Sequence, residues 1–169
     1  MTKAQFDAVG STDVLCAALF VQPDGCYVGL PYVDAWPEHR DARKYTGPLP
    51  VVAHPPCQLW GAMASVNFAR WGGEHNRPGN DGGCFASALD SVHKLGGVLE
   101  HPAKTKAFAA HGLPAPSGIG WQRTTCVGWV CEVWQSAYGH RRTRRRGFTT
   151  TAQTSRLNCD GKDQKGRTR

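Results

Sequence analysis

No apolar run in this sequence reaches the roughly 18–20 residues that a membrane-crossing helix requires. The longest, Val14 to Val21, stops at a Pro-Asp-Gly turn. That run is not expected to be the core of a secretory leader either. Asp7 and Asp13 stand where a positive flank belongs, and no small-x-small cleavage site follows. A cytoplasmic protein is expected, bacterial or made inside a cell by a phage. A regular, even set of cysteines is also missing. The seven present are irregularly spaced over a chain too large for a disulfide scaffold, which predicts reduced thiols. Metal-ligand spacing is lacking as well. Cys126 and Cys131 are the closest pair, and on a strand their odd offset would point them to opposite faces. Cys84 and Cys159 add no known ligand pattern, so no metal is expected. There is no internal repeat and no coiled-coil heptad. The length of 169 residues suits one domain with a real core and is short for two.

Charge is scarce in the body and concentrated at the end. Residues 1–140 carry ten Lys or Arg against eleven Asp or Glu, a net of −1. Residues 141–169 carry ten against two, a net of +8. A basic end on a neutral body suggests a polyanionic partner, DNA or another nucleic acid. The alternative is a solubilising tail with no partner.

What remains is α/β in pattern. Residues 1–12 are polar and predicted loose, 13–151 form one domain, and 152–169 make a basic disordered tail. Val14–Val21 and Cys26–Val33 flank Gln-Pro-Asp-Gly and predict a hairpin. Pro37 to Tyr45 could hold a short helix with Pro37 in its first turn. Leu49 to Ala53 predicts a short buried strand, stopped by His54-Pro55-Pro56. The Gly-, Asn- and Trp-rich stretch 57–82 reads as a long loop with a short helix over Ala62–Trp71. Phe85, Ala88, Leu89, Val92 and Leu95 fall at helical spacing over Cys84–Leu95, with Gly96-Gly97 as the stop. Val98-Leu99 then predicts a strand, Lys104–Ala110 a short helix, and Cys126–Trp134 a strand partnered by Gly147–Thr151. Strand, helix, strand, helix in the middle argues for a partly parallel sheet. In such sheets sites form at the carboxyl ends of strands. Two segments end there: His54-Pro55-Pro56-Cys57-Gln58, and Glu100-His101-Pro102.

A thiol and a carboxyl on one sheet edge permit a defined chemistry. A thiolate adds readily to an electron-poor ring carbon such as pyrimidine C6. The addition makes C5 nucleophilic once charge on the ring is relieved. A carboxylic acid at N3 and a cation near O2 would relieve it. Cys57, Glu100 and the cluster Arg141–Arg146 could supply these parts.

The residues themselves resemble a known family. Val51-Val52-Ala53-His54-Pro55-Pro56-Cys57-Gln58 is similar to the Pro-Cys-Gln nucleophile motif of the DNA cytosine-5 methyltransferases. Val98-Leu99-Glu100-His101-Pro102 resembles their Glu-Asn-Val strand end, with His101 in place of Asn. The stretch from Tyr138-Gly139-His140 through Gly147-Phe148 is similar to their Tyr-Gly-x-Pro-Gln-x-Arg-x-Arg-x-Phe segment. There the family arginines fall on Arg144 and Arg146, and Arg141 and Arg142 replace Pro-Gln. The blocks stand in family order across residues 49–150.

The resemblance implies a small Rossmann-like, methyltransferase-type sheet, mostly parallel with an antiparallel C-terminal hairpin. It implies that Cys57 attacks C6, Glu100 holds or protonates N3, Arg144 contacts O2, and Arg146 supports the loop or the thiolate. Pro56, Gln58, Arg141 and Arg142 would contact the substrate. The base would be flipped from its duplex, and the stretch after Cys57 would close on DNA. S-adenosylmethionine is the cofactor implied, yet the family's Phe-x-Gly-x-Gly loop is not found. Asp34, in Val33-Asp34-Ala35-Trp36-Pro37, is the only candidate for the acidic cofactor contact. The family's target-recognition region is missing too. The expected function is therefore a methyltransferase-like enzyme acting at pyrimidine C5. A non-catalytic DNA-binding relic is one alternative. A subunit of a split methyltransferase, with a protein partner supplying the cofactor site, is another.

Plainer roles stand beside each residue. Cys57 could be a buried inert thiol, Glu100 a helix cap near Pro102, and the arginines a solvated edge. Trp60 and Trp71 could anchor the long loop or stack on bases. His54 and His101 could tune the thiol or serve the fold.

Overall fold

The structure, a computed structural model, describes residues 14–117, 120–124, 128–134 and 145–151, the last of these as backbone. The loose N-terminus expected over 1–12, the tail over 152–169, and Cys126, Arg141, Arg142 and Arg144 lie outside these residues.

The chain forms one sheet of seven strands in the order β2-β1-β3-β4-β7-β6-β5. These are β1 (Cys16–Val21), β2 (Val33–Pro37), β3 (Val51–Ala53), β4 (Gly97–Pro102), β5 (Gln122–Arg123), β6 (Trp129–Trp134) and β7 (Arg145–Thr151). The first four run parallel. The last three add antiparallel pairs, β7 on β4, β6 on β7 and β5 on β6. The fold is thus α/β, parallel through its first half with an antiparallel hairpin at its C-terminal end, as expected. Ala17, Ala18 and Leu19 in the middle of β1 are all fully buried, the unbroken apolar run of a parallel strand covered on both faces.

The helices are α1 (Met63–Trp71), α2 (Cys84–Leu95) and the short α3 (Ala107–Ala110). The apolar face expected of α2 is the buried one. Phe85, Ala88, Leu89 and Val92 enter the core with Leu19, Val51, Leu99 and Phe108. Burial of each large side chain among them contributes about 1.5–3 kcal/mol. Gly96 ends α2, its N–H reaching the Val92 carbonyl at 3.0 Å. Gly97 then starts β4 pressed against the backbone of Val51. Among the described residues no helix is long and apolar enough to cross a membrane.

Two expectations need correction. The hairpin at Pro23-Asp24-Gly25 does not form, because β1 and β2 are parallel. The turn itself is present, with Gly25 N–H donating to Gln22 O at 3.0 Å. The chain then continues in turns, Val28 bonding to Gly25 and Val33 to Leu30, until it has returned to the starting end of β1. Val28 and Leu30, read as strand residues, sit exposed in this crossover. Likewise Pro37–Tyr45 is not one helix. Two 3₁₀ turns, Glu38–Arg40 and Ala42–Lys44, are separated by Asp41 in the left-handed conformation at φ 51°. Helical hydrogen bonding cannot pass through that conformation.

Candidate active site

The chain leaves β1 for β2 on one side and returns to β3 on the other. The carboxyl ends of β1 and β3 are therefore the switch point at which open α/β sheets bind ligands. A cleft of about 1070 Å³ lies there, floored by the ends of all four parallel strands. At its base Phe20 takes a left-handed φ of 59°, and the β1–β2 register shifts between Leu19 and Val21. A bulky residue in that region is strained, and here the bulge turns the strand end into the cleft.

β3 delivers the thiol. His54 N–H still bonds to Leu19 O at 3.0 Å, continuing the pairing with β1. Pro55 and Pro56 lack the N–H a ladder needs, so the strand stops. Cys57 follows as the first residue past the break, half-buried, lining the cleft at the start of the 3₁₀ turn Gln58–Trp60. Pro56 and Gln58, the expected substrate contacts, line the same cleft and are exposed.

Trp60 pins this turn and is an anchor, not a platform for bases. It is buried, its Nε1–H donates to Asp81 Oδ2 at 2.8 Å, and its carbonyl accepts from Lys106 N at 2.9 Å. Asp81 also accepts from the backbone N–H of Gly83 and Phe85, which caps α2. Asp81→Ala should therefore loosen the thiol-bearing turn and the helix together. The expected loss is about 1–2 kcal/mol, read as a lower urea midpoint at unchanged slope. Trp71, by contrast, is 68% exposed, with the Arg70 guanidinium 5.1 Å from its ring centre.

β4 delivers the carboxyl. Glu100 is only 8% exposed, and its Oε2 lies 3.3 Å from His54 Nδ1. His54 Nε2 is in turn 2.9 Å from the Tyr27 hydroxyl. Glu100 is not a helix cap. α3 begins at Ala107, and Thr105 Oγ1 accepts the Ala107 N–H. His101 is fully buried, edge-on to Phe85, with Nε2 3.5 Å from Pro56 O. It serves the fold, packing β4 beneath the Pro-Pro-Cys segment.

The end of the arginine block, as β7, reaches the same edge. Register sets Phe148 opposite Glu100, Gly147 opposite His101 and Arg146 opposite Pro102. The backbone of Arg146 therefore stands at the carboxyl end of β4. Arg141, Arg142 and Arg144 fall outside the described residues.

Asp34 does not reach the cleft. It lies within β2, and its carboxylate accepts from Trp36 Nε1 at 2.7 Å and from Arg40 at 2.5 Å. The acids that do line the cleft on this side are Glu38, directly after β2, and Asp41. A hydrogen bond from the Arg43 side chain holds the Asp41 carboxyl below its ordinary range. Glu38 escaped the sequence reading because the strand was expected to end at Val33; its signal is an acid just past a strand end. Tyr27 escaped for the same reason, being assigned to a strand that is a crossover.

Burial raises the thiols of Cys16, Cys84 and Cys131, which keeps them protonated and poor nucleophiles. Burial, with Cys26 and Glu100 nearby, also raises the Tyr27 phenol, so it stays a hydroxyl. Among the described residues no group of three or more His, Cys, Asp or Glu is placed to hold a metal.

Comparison with protein-family models, with curated proteins and with solved structures found no match.

Proposed function

We propose that this protein acts on a pyrimidine base of DNA at C5, through a covalent bond from Cys57 to C6, as a cytosine-5 methyltransferase-like enzyme. The observation that carries this reading is the meeting of Cys57 and Glu100 in one cleft, at the ends of adjacent parallel strands. The thiolate sulfur gives its electron pair to C6. Glu100 gives a proton to N3, so the charge arriving on the ring is neutralised as it forms. After C5 has taken up carbon, loss of the C5 proton to water re-forms the C5–C6 double bond and expels the thiolate, and N3 returns its proton to Glu100. Arg144 is the arginine to meet O2, and Arg146, whose backbone stands opposite Pro102 at the end of β4, would support the loop or the thiolate. The base must leave its stack to be reached. Free thiols at the site suit a reducing cytoplasm.

A carbon donor such as S-adenosylmethionine would take the other half of the cleft, where Phe20, Trp36 and Glu38 line the ends of β1 and β2. Glu38 would be the acid to meet its ribose hydroxyls, in the role expected of Asp34. When bound, the donor supplies the electrophilic carbon that C5 takes up.

DNA carrying 5-fluorocytosine tests this reading. Fluorine at C5 cannot leave as a cation, so an adduct that has gained carbon at C5 stays attached to the protein. A complex surviving denaturation is expected with S-adenosylmethionine or another one-carbon donor. No complex under any donor condition would overturn the proposal.

One observation favours a split form of the same enzyme. Val14, Leu15, Val28, Leu30 and Tyr32 are exposed beside the β1–β2 crossover, an apolar group suited to a partner chain. In that version the complex forms only in a mixture with the partner.

A further inference from the structure

We infer that the carboxyl edge of the sheet is a track for single-stranded DNA, on which Trp121 and Trp134 stack unpaired bases and lead the strand to Cys57. The inference rests on the reading of DNA as the substrate, and it names the form that substrate takes.

Both tryptophans stand out by exposure. Trp121 is 55% and Trp134 39% exposed, although burial of so large a ring is favourable. Topology brings the two to one end of the sheet. β4 finishes at the cleft, with Pro102 paired to Arg146 of β7. Arg146 is paired in turn to Val133, and Arg145 to Trp134, the last residue of β6. Trp134 therefore ends its strand at the edge where β3 and β4 present Cys57 and Glu100. β5 runs antiparallel to β6 and so starts from that same side, and Trp121 immediately precedes it.

In strand order, basic residues fall between the thiol and the rings. Lys104 and Lys106 are exposed just past β4, and Arg145 and Arg146 begin β7. β3 and β6 are three strand steps apart, about 14 Å, which spans a few nucleotides. A phosphate backbone laid along this line meets positive charge, and residues 141–169 carry a net of +8.

The rings decide which form of DNA fits. An exposed indole offers a flat face, and only an unpaired base has a face free to receive it. In a duplex each base is covered by its neighbours, and side chains read its edges in the grooves. Aromatic rings beside a cationic groove hold single strands, with little regard for sequence. A single strand also brings pyrimidine C6 within reach without opening a duplex.

Fluorescence anisotropy of labelled oligothymidylate, with the full chain at physiological salt, tests the track with no covalent step. The single strand should bind about tenfold or more tightly than the same strand annealed to oligoadenylate. Trp121→Leu and Trp134→Leu should each weaken single-strand binding about 5- to 150-fold, the loss of one base–aromatic stack. Duplex binding should not change in either. Trp121→Phe and Trp134→Phe keep a flat ring and should restore most of the affinity. A duplex bound as tightly as the single strand, or equal losses in the leucine and phenylalanine variants, would overturn the inference. So would binding that ignores both tryptophans and responds only to salt, which would assign it to the basic C-terminal stretch alone.

The two readings fail separately. If the single strand binds with these signatures but 5-fluorocytosine DNA is never trapped, the C5 chemistry falls and the track stands. If trapping is as fast on duplex as on single strands and indifferent to both leucine variants, the chemistry stands and the track falls.

Discussion

Cys57→Ala is expected to leave no denaturation-resistant complex with 5-fluorocytosine DNA, under conditions where the native chain forms one. The side chain sits past the Pro55-Pro56 break and lines the cleft without belonging to the core cluster. Removing its sulfur should therefore alter stability by less than about 1 kcal/mol, which a urea melt can verify. The loss of adduct should be complete, because covalent trapping has no other route if the nucleophile is this thiol. Cys57→Ser should trap little or nothing, since an alcohol is a much weaker nucleophile at neutral pH. Glu100→Gln should behave differently. The thiol survives, and trapping slows by about 10²–10⁴-fold as acid assistance is lost. Denaturing electrophoresis over a time course separates these patterns. A Cys57→Ala chain that still traps DNA would move the nucleophile elsewhere, with the exposed, cleft-lining Cys26 next to be replaced.

Gly97→Ala should be the most destabilising single change in the sheet. A Cβ at this position would overlap the carbonyl oxygen of Val51 and lie 2.7 Å from the Val51 nitrogen. These are backbone atoms of the neighbouring strand, so no side-chain rotation relieves the clash. The backbone φ of +127° is a second obstacle, since L side chains rarely adopt it. Overpacking and strain each cost about 1–3 kcal/mol. Their sum is a large share of the about 5–15 kcal/mol that holds a typical domain together. Loss of at least about 3 kcal/mol, or failure to fold, is the expected result. A urea midpoint close to the native one would contradict this account of the β3–β4 contact. The same contact governs the site, because these two strands carry Cys57 and Glu100.

Much of this architecture was legible because its causes are local. α2 follows from apolar residues at helical spacing and a glycine stop, and its observed bounds are the expected ones. β3 is legible because Pro55 and Pro56 cannot continue a ladder, and the β6–β7 pairing follows from two strand-like runs. The β1–β2 crossover was not legible. Its Pro-Asp-Gly turn is real, but whether a chain turns once or keeps turning is decided by where the next strand must dock. Asp34 misled because an acid near a strand end looks the same whether it faces a cleft or binds Trp36 and Arg40. The union of Tyr27, His54 and Glu100 joins three separate segments, and no spacing rule encodes it.

The crossover from Gln22 to Tyr32 is built of turns, where sheets of this kind commonly place a helix. The crossover therefore aims no helix N-terminus at the ends of β1 and β2; the helix end that borders the cleft is that of α2, whose first residue Cys84 lines it. Carriers gripped by a pyrophosphate handle rely on that feature. A molecule entering beside the crossover meets the Trp36 ring and the Glu38 carboxylate instead. Any anion it carries would have to reach Arg43 and the start of α2, which line the same cleft.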